Sequence, residues 1–570
     1  MPGYIRAKLQ EGLIKGNKNE DDAVAVFRSI PYADPPVGTL RWREPKPVTA
    51  WKGERDCTKH VAAALQAKAF RPPELVDTEF TANIYKIAGV DEKLYAREEP
   101  GGYAEDCLHV DVYAPLEALQ TRGESPKLPV MVWYHGGALR EGTSAAYDAT
   151  HLCKTGAECI VVVAQYRLGI LGYFSHPELS KEQGGSSGNY GLMDQIAALK
   201  WVQRNISAFG GDSNNVTIFG ESAGGNSVTA IMVSPLAKGL FHRAISQSGQ
   251  GTRTSSTVDL EVGLLLQKAL GCNSISEMRK IPGSVLTKAT SKYSKNPEAY
   301  ALASQLIRVT NDGKIIPKHG VGEAFRRGEH HDVPLIVGFN ELEGGSFFPV
   351  LPVPFPECMR NLRLMQMMPI DTKNKLKSAI KTLIPADEGL RQRLWNVYAD
   401  QIPVMDDSDT DEAVMQTMMN GDTFFGAPSE MLAAYAAISF KKSTTKSPCY
   451  MYIFARRCDG AFGSKLGAFH AAEIEFVFNS NSGFRKGIPA KDDEKLARVM
   501  SNHWIEFAHN GKVQGWDPYD ASKQKFMKYD NRGKYEMSSD EPMYRRFSIL
   551  EEADLVGTGG SRLNRNFAKL

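Results

Sequence analysis

The feature that most constrains the fold of this chain is an alternation of short, wholly apolar runs with longer segments of helical periodicity. Residues 129–134 and 159–164 are apolar at nearly every position, which predicts strands that are buried on both faces. Residues 192–206 then repeat apolar side chains at helical spacing. Further strands are predicted at 216–219, 244–246, 334–337 and 450–454, with a helix through 227–233. This alternation predicts an α/β fold, a largely parallel sheet covered by helices on both faces.

No internal repeat or long linker divides the 570 residues, so we expect one domain over 1–570. Two stretches, 251–330 and 346–445, are helix-like and contain no strong strand pattern. We interpret both as helical insertions over the carboxyl edge of the sheet, where α/β proteins place their sites.

Composition excludes several classes of function. Lys and Arg number 68 against 66 Asp and Glu, a formal net charge of +2, which gives no reason to expect nucleic acid or an anionic membrane as partner. No apolar run reaches the roughly 20 residues that span a bilayer. The eight cysteines form no CxxC pair and no histidines cluster at ligand spacing, so no metal site is expected.

The chain ends carry a weak indication of cellular location. Residues 1–16 contain no apolar core of a signal peptide, and the chain ends in Ala568-Lys569-Leu570, which is similar to a peroxisomal address. We therefore expect a cytoplasmic or peroxisomal protein, or a secreted one if a signal segment precedes residue 1.

A nucleophile motif lies directly after one predicted strand. The residues at 220–224, Gly-Glu-Ser-Ala-Gly, fit the pattern GxSxG and stand between the strand 216–219 and a helix. That setting holds the serine on a sharp turn, with free N–H groups at the start of the helix. Residues 184–188 fit the same pattern but have no strand before them, which predicts a flexible polar loop. Ser222 is therefore the predicted nucleophile.

A serine nucleophile needs hydrogen-bond donors for the oxyanion that its attack creates. His135-Gly136-Gly137-Ala138 follows the strand 129–134 directly, in the position of an HGGG-type loop. The predicted donors are the backbone N–H groups of Gly137, Ala138 and Ala223.

Four longer motifs lie at 27–38 (FRSIPYADPPVG), 105–113 (EDCLHVDVY), 189–199 (NYGLMDQIAAL) and 209–212 (FGGD). In this order along the chain, they resemble motifs of the type-B carboxylesterase and cholinesterase family. The resemblance covers nearly the whole chain and implies an α/β-hydrolase fold and a serine ester hydrolase. It also implies that Ala138 replaces the third glycine of the family's loop, so that its methyl group restricts the backbone there.

The same resemblance supplies the rest of a catalytic triad. Residues 469–478 (FHAAEIEFVF) are similar to the family's histidine segment, which implies His470 as the base. Residues 338–344 (GFNELEG) are similar to its acid loop, and matching Asn340 and Gly344 places the acid at Glu343, with Glu341 as competitor. The implied reaction is a two-step acyl transfer that requires no cofactor or metal.

The family joins the cysteines that match Cys57 and Cys107, which implies a disulfide bounding a lid-like loop at 58–106. No tryptophan lies between these cysteines, which disfavours a cholinesterase, since that class binds choline through a tryptophan there. The complete set Ser222, Glu343 and His470 disfavours the family's non-catalytic adhesion proteins. We expect a general esterase for uncharged carboxylic esters, with a lipase for longer-chain acylglycerols as the alternative.

Overall fold

The computed structural model describes most of the chain. The described residues are 4–21, 23–67, 99–120, 127–154, 158–291, 293–346, 380–381, 384, 387–401, 415, 418–443, 447–457, 466–480, 491–530, 533–553 and 555–556. The predicted loop at 58–106 and the predicted insertion at 346–445 lie partly outside them, and the C-terminal tripeptide 568–570 lies wholly outside.

Strands alternate with helices along the described chain. They are β1 (Ile5–Lys8), β2 (Leu13–Lys18), β3 (Val24–Pro31), β4 (Glu54–Asp56), β5 (Ala63–Ala64), β6 (Tyr103–Ala104), β7 (His109–Pro115), β8 (Leu128–Tyr134), β9 (Ile160–Ala164), β10 (Gly211–Glu221), β11 (Arg243–Gln247), β12 (Ser255–Ser256), β13 (Val309–Thr310), β14 (Leu335–Asn340), β15 (Cys449–Phe454), β16 (Phe526–Tyr529) and β17 (Tyr535–Ser538).

One large sheet organises the molecule. Its strands run in the order β1-β2-β3-β7-β9-β8-β10-β11-β14-β15-β16-β17, with β4 paired to β2. The run from β9 through β16 is parallel throughout, and antiparallel pairs flank it on both sides. Parallel strands align their carboxyl ends at one edge, so the segments that follow β8, β10, β11, β14 and β15 meet there.

Helices cover both faces of this sheet. They are α1 (Leu116–Gln120), α2 (Thr150–Lys154), α3 (Gly169–Tyr173), α4 (Pro177–Glu182), α5 (Tyr190–Asn205), α6 (Ala223–Val233), α7 (Leu260–Ala269), α8 (Ile275–Lys280), α9 (Gly283–Ala289), α10 (Pro297–Leu306), α11 (Gly320–Arg327), α12 (Glu388–Ala399), α13 (Ala427–Lys442), α14 (Ile474–Val477), α15 (Lys491–Asn510) and α16 (Glu541–Glu552). A π-helical turn, Asp422–Gly426, leads directly into α13.

The core consists of two hydrophobic clusters, one on each face of the sheet. Along β8, Val130 and Val132 belong to one cluster, while Met131 and Trp133 belong to the other. This alternation follows from the period of two along a strand. It explains why the strand is apolar at every position, and the predicted α/β architecture is confirmed.

The described part of 251–330 is mostly helical. It contains α7 to α11 together with the short parallel pair β12 and β13. Helix α11 packs against α13, and both lie beside the turn that follows β11. Of the helices in this stretch, α11 therefore lies next to the carboxyl end of β11.

The structure does not show the predicted disulfide between Cys57 and Cys107. Cys57 and Cys107 are both free thiols, and both are buried. Burial raises the pKa of Cys57 to about 12, and burial also raises the pKa of Cys107 well above its ordinary value. Only the thiolate takes part in disulfide exchange, so burial and a raised pKa favour the free thiol form of both cysteines.

Candidate active site

Ser222 lies on a sharp turn between β10 and α6. Its backbone has φ 56° and ψ −118°, in a region that residues with a side chain rarely adopt. Two hydrogen bonds hold it: Ser222 N donates to Gln247 O at 2.9 Å, and Asn226 N donates to Ser222 O at 2.9 Å. Glu221 and Ala223 on either side are buried, whereas Ser222 is partly exposed. The serine is thus the one residue of the turn that is presented outward.

The glycines of the motif permit this turn. A Cβ on Gly224 would lie 1.9 Å from Tyr134 O, and one on Gly220 would lie 2.6 Å from the same atom. No side chain fits at either position, because the end of β8 passes directly beneath the turn. The motif therefore encodes the close passage of strand and helix that projects Ser222.

The predicted oxyanion loop lies against the nucleophile. A Cβ on Gly136 would lie 2.8 Å from Glu221 Oε2 and 3.2 Å from Ser222 Cβ. Ala223 is the first residue of α6, so its N–H has no acceptor in a preceding helical turn. The loop and the helix start thus bring N–H groups to the neighbourhood of one serine hydroxyl.

The backbone conformation of Ala138 differs from the one that its methyl group was expected to impose. Its φ is 54°, and Gly137 and Leu139 also have positive φ values, of 105° and 61°. The methyl group therefore does not restrict the loop to conformations that alanine prefers. Instead Ala138 keeps the left-handed conformation natural to glycine, at a cost of roughly 1–2 kcal/mol. Hydrogen bonds from the N–H groups of Arg140 and Glu141 to Gly137 O, at 2.9 and 3.1 Å, help to hold this turn.

The predicted acid and base are in direct contact. His470 Nδ1 lies 2.5 Å from Glu343 Oε2, and both side chains are buried. Asn340 N donates to the other oxygen, Glu343 Oε1, at 2.7 Å. The competitor Glu341 is partly exposed and lies 3.4 Å from Lys528 Nζ. Of the two carboxylates, it is Glu343 that orients His470.

The second ring nitrogen of His470 faces another carboxylate. Nε2 lies 3.0 Å from Oε1 of Glu221, the residue next to Ser222 in the chain. Ser222 and His470 share no direct hydrogen bond in this structure. Catalytic hydrogen bonds often tighten only when substrate binds, and the nitrogen already points at the residue beside the nucleophile.

Burial and the charges of two nearby carboxylates act in opposite directions on the pKa of His470. Burial disfavours the imidazolium, but the negative charges of Glu221 and Glu343 outweigh it and raise the pKa of His470 above its ordinary value. Burial likewise raises the pKa of Glu221. The two carboxylates therefore favour the protonated form of the His470 imidazole.

A third carboxyl group, Glu473, completes the cluster. It is fully buried and accepts hydrogen bonds from Asn340 Nδ2 at 2.7 Å and Gln247 Nε2 at 3.2 Å. Burial, with the charges of Glu221 and Glu343, raises the pKa of Glu473 to about 8. At neutral pH this group is mostly neutral, so it adds little negative charge to the site.

An aromatic ring covers the histidine. Phe425, in the π-helical turn, stacks on His470 with ring centroids 4.6 Å apart and an interplanar angle of 35°. Asp422 anchors the turn by accepting hydrogen bonds from Tyr398 Oη at 2.8 Å and Arg546 Nε at 2.7 Å. π-Helical turns are rare and are frequent at functional sites.

The second GxSxG match is structural. Ser186 and Ser187 are buried, and Ser187 Oγ bonds the backbone N and O of His176 at 3.0 and 3.1 Å. The segment joins α4 to α5, with no strand before it. Gly184 and Gly185 are exposed while the two serines are buried, so the segment is a partly exposed turn, and its flexibility stays a prediction.

Sequence reasoning missed the roles of Glu473 and Phe425. Glu473 follows His470 by three residues, so the sequence itself places a carboxyl group close to the predicted base. Phe425 precedes His470 by 45 positions, and nothing in the local sequence indicates their contact.

Within the described residues, no cluster of three or more His, Cys, Asp or Glu is arranged to hold a metal. A search of the same residues finds no helix with the length and apolar character of a membrane span.

Comparison with known proteins agrees with this geometry. Residues 4–546 match the family model described as the carboxylesterase family. The chain is 31% identical to human cocaine esterase over 518 residues, which cover 89% of this chain and 84% of that protein. It is 32% identical to carboxylesterase 3 of Pongo abelii over 514 residues, or 87% and 81% of the two chains. Among solved structures, a PNB esterase superposes with a TM-score of 0.71 at 27% identity, covering 95% of this chain and 99% of its own. The chain therefore belongs to the carboxylesterase family and is a serine carboxylic-ester hydrolase.

Proposed function

We propose that Ser222, His470 and Glu343 form the catalytic triad of this hydrolase and that it cleaves uncharged carboxylic esters in two acyl-transfer steps. The observation that carries the proposal is the pairing of a positive-φ serine elbow with a buried Glu343–His470 contact at the same edge of the sheet. His470 Nε2 lies 3.0 Å from Oε1 of Glu221, the residue beside Ser222, which supports His470 as the base.

In the first step, Ser222 Oγ attacks the ester carbonyl carbon while its proton passes to His470 Nε2. The carbonyl oxygen becomes an oxyanion, for which Gly137, Ala138 and Ala223 are the proposed N–H donors. Collapse of this intermediate breaks the bond to the alcohol, which leaves with the proton held on Nε2. The product of this step is the Ser222 ester of the acyl group.

In the second step, water attacks the Ser222 ester and gives a proton to Nε2. Collapse of the new intermediate returns that proton to Ser222 Oγ and releases the carboxylic acid. Glu343 stabilises the imidazolium that forms in each step through Nδ1, and Glu221 adds a second negative charge 3.0 Å from Nε2. Phe425 limits the rotation of the ring, since the two rings are in contact.

The direct test compares two serines that fit the same pattern. Ser222→Ala should remove hydrolysis of 4-nitrophenyl acetate while the protein still folds, because alanine has no hydroxyl and is smaller than serine. Ser186→Ala, in the other GxSxG match, should retain the activity of the unmodified enzyme. Circular dichroism and thermal unfolding show that both variants are folded. An active, folded Ser222→Ala variant contradicts the proposal.

The acyl length of the preferred substrate separates an esterase from the alternative of a lipase. An esterase for small esters should give its highest kcat/KM with 4-nitrophenyl esters of about two to six carbons and lose efficiency on longer chains. A lipase should instead prefer esters of ten or more carbons and gain activity above the concentration at which the substrate forms an interface. Acylglycerol emulsions give the second readout.

A further inference from the structure

Arg253 lies at the carboxyl edge of the sheet, close to the proposed site. It ends the short helical turn Gly251–Arg253, which follows β11, the strand next to the one that carries Ser222. Gln250 N donates to Asn226 Oδ1 at 2.6 Å, which fixes this turn beside the first turn of α6. The turn that carries Arg253 therefore lies beside the first turn of α6, the helix that begins directly after Ser222.

The other end of the side chain reaches the turn that covers the catalytic histidine. Arg253 Nη1 donates to Thr423 O at 3.2 Å, and its guanidinium lies 5.1 Å from the ring centroid of Phe424. The next residue, Phe425, packs against His470 with a tilted ring. Arg253 therefore connects the turn that follows β11 to the π-helical turn that contacts His470.

Unlike the four buried arginines, the partly exposed Arg253 has no carboxylate partner within the part of the chain that the structure describes. The buried arginines form ion pairs of 2.6 to 2.7 Å: Arg41 with Glu105, Arg167 with Asp194, Arg456 with Asp493 and Arg546 with Asp422. Arg253 has one backbone acceptor and one aromatic face. Burial lowers the pKa of Arg253 to about 10.

A desolvated cation without a counterion destabilises a folded protein, so its presence at this edge needs a compensating role. The side chain is partly exposed, and among the described residues its hydrogen bonds to the protein involve only Nη1. The remaining N–H groups are free to bind a planar anion, for which the guanidinium is suited.

We propose that Arg253 is a specificity-determining residue that binds a carboxylate carried by the substrate elsewhere than at its ester bond. The inference rests on the proposed function and extends it: the site accepts carboxylate-bearing esters in addition to uncharged ones. The anion occupies the position that a counterion occupies at the four buried arginines. A hydrogen bond between two charged groups in such a setting contributes about 10- to 100-fold to binding.

The experiment measures a ratio of kcat/KM for matched esters. One arm compares mono-4-nitrophenyl glutarate and adipate with the 4-nitrophenyl esters of pentanoic and hexanoic acid, where the charge is on the acyl part. The other arm compares 4-acetoxybenzoate with its methyl ester, where the charge is on the alcohol part. We expect the ratio of anionic to neutral ester to fall about 10- to 100-fold in Arg253→Gln, in one arm, and by less in Arg253→Lys.

Arg243→Gln is the matched control. Arg243 also lacks a carboxylate partner among the described residues and bonds to Asn215 Oδ1 and to His509 O. It is the first residue of β11, at the opposite edge of the sheet from Ser222. This variant should leave both ratios at the value of the unmodified enzyme.

Salt provides a readout that needs no variant. Raising NaCl from about 0.02 to 0.5 M should raise KM for the anionic ester more than for its neutral partner, because salt screens the interaction. Arg253 is not the anion site if Arg253→Gln folds and leaves both ratios unchanged, or if KM for the anionic ester does not depend on salt. Failure of the proposed function looks different, since the neutral esters would then not be hydrolysed by the unmodified enzyme.

Discussion

The contact between Glu221 and His470 predicts a specific change in the pH profile. His470 must be neutral to accept the proton of Ser222, so activity falls as the pH drops through the pKa of the imidazole. Burial lowers that pKa, but the charges of Glu221 and Glu343 outweigh burial and raise it. Glu221→Gln removes one of these charges and keeps the shape of the side chain. The acid limb of kcat/KM should therefore move to lower pH.

The size of the shift follows from the distance. Two unit charges 3.0 Å apart interact with about 5 kcal/mol at an effective dielectric constant of about 20. This is an upper bound, because burial raises the pKa of Glu221 and leaves part of it neutral near the acid limb. Opposite charges at such distances shift a pKa by about 1–3 units. We expect the limb to move by at least about one pH unit, with Glu343 and Glu473 present in both enzymes.

The assay is kcat/KM for 4-nitrophenyl acetate between pH 4.5 and 9 at constant ionic strength, with background hydrolysis subtracted. Glu341→Gln is the matched control, since Glu341 is partly exposed and lies beside Lys528 rather than His470. Its profile should coincide with that of the unmodified enzyme. An acid limb that stays in place in Glu221→Gln, or moves to higher pH, refutes the electrostatic role of Glu221.

Three further predictions follow from the same geometry. Glu343→Gln should lower kcat about 10³- to 10⁴-fold, while Glu341→Gln should retain the kcat of the unmodified enzyme. Adding Glu343→Gln to His470→Ala should lower kcat little further, because the triad acts as a unit. A larger loss of kcat in Glu341→Gln than in Glu343→Gln contradicts the assignment of the acid. Ala138→Gly should raise the free energy of unfolding by about 0.5–1 kcal/mol in urea titrations, because φ 54° suits glycine; a loss of stability shows that the methyl packs usefully. Gly224→Ala should destabilise the fold by at least about 1–3 kcal/mol and abolish hydrolysis, since its Cβ would lie 1.9 Å from a backbone oxygen; a normal Tm argues against this close passage.

The fold could be predicted from the sequence because its determinants are local. The strand at 129–134 is apolar on both faces, and the structure shows β8 between two hydrophobic clusters. The elbow at Ser222 is equally local, since Gly220 and Gly224 are needed wherever strand and helix pass this closely. Patterns of this kind report the environment of consecutive residues, which is enough to place the elements and the turn between them.

The rest of the site depends on contacts between distant segments. Phe425 reaches His470, and Arg253 reaches Thr423, only because helices between them fold back over the edge of the sheet. No local period encodes such a contact. The left-handed backbone of Ala138 was hidden for a different reason, because the residue type favours another conformation and the surrounding loop overrides that preference.

The central claim, that Ser222 is the nucleophile, is tested most directly by covalent labelling. A fluorophosphonate reacts with an activated serine by the same attack on an electrophilic centre, with loss of fluoride, and leaves a stable adduct. The enzyme should take up one phosphonyl group, lose its esterase activity in proportion, and carry the added mass on the peptide that contains Ser222. Labelling of a peptide that contains Ser186, or full loss of activity with Ser222 unmodified, would contradict the account.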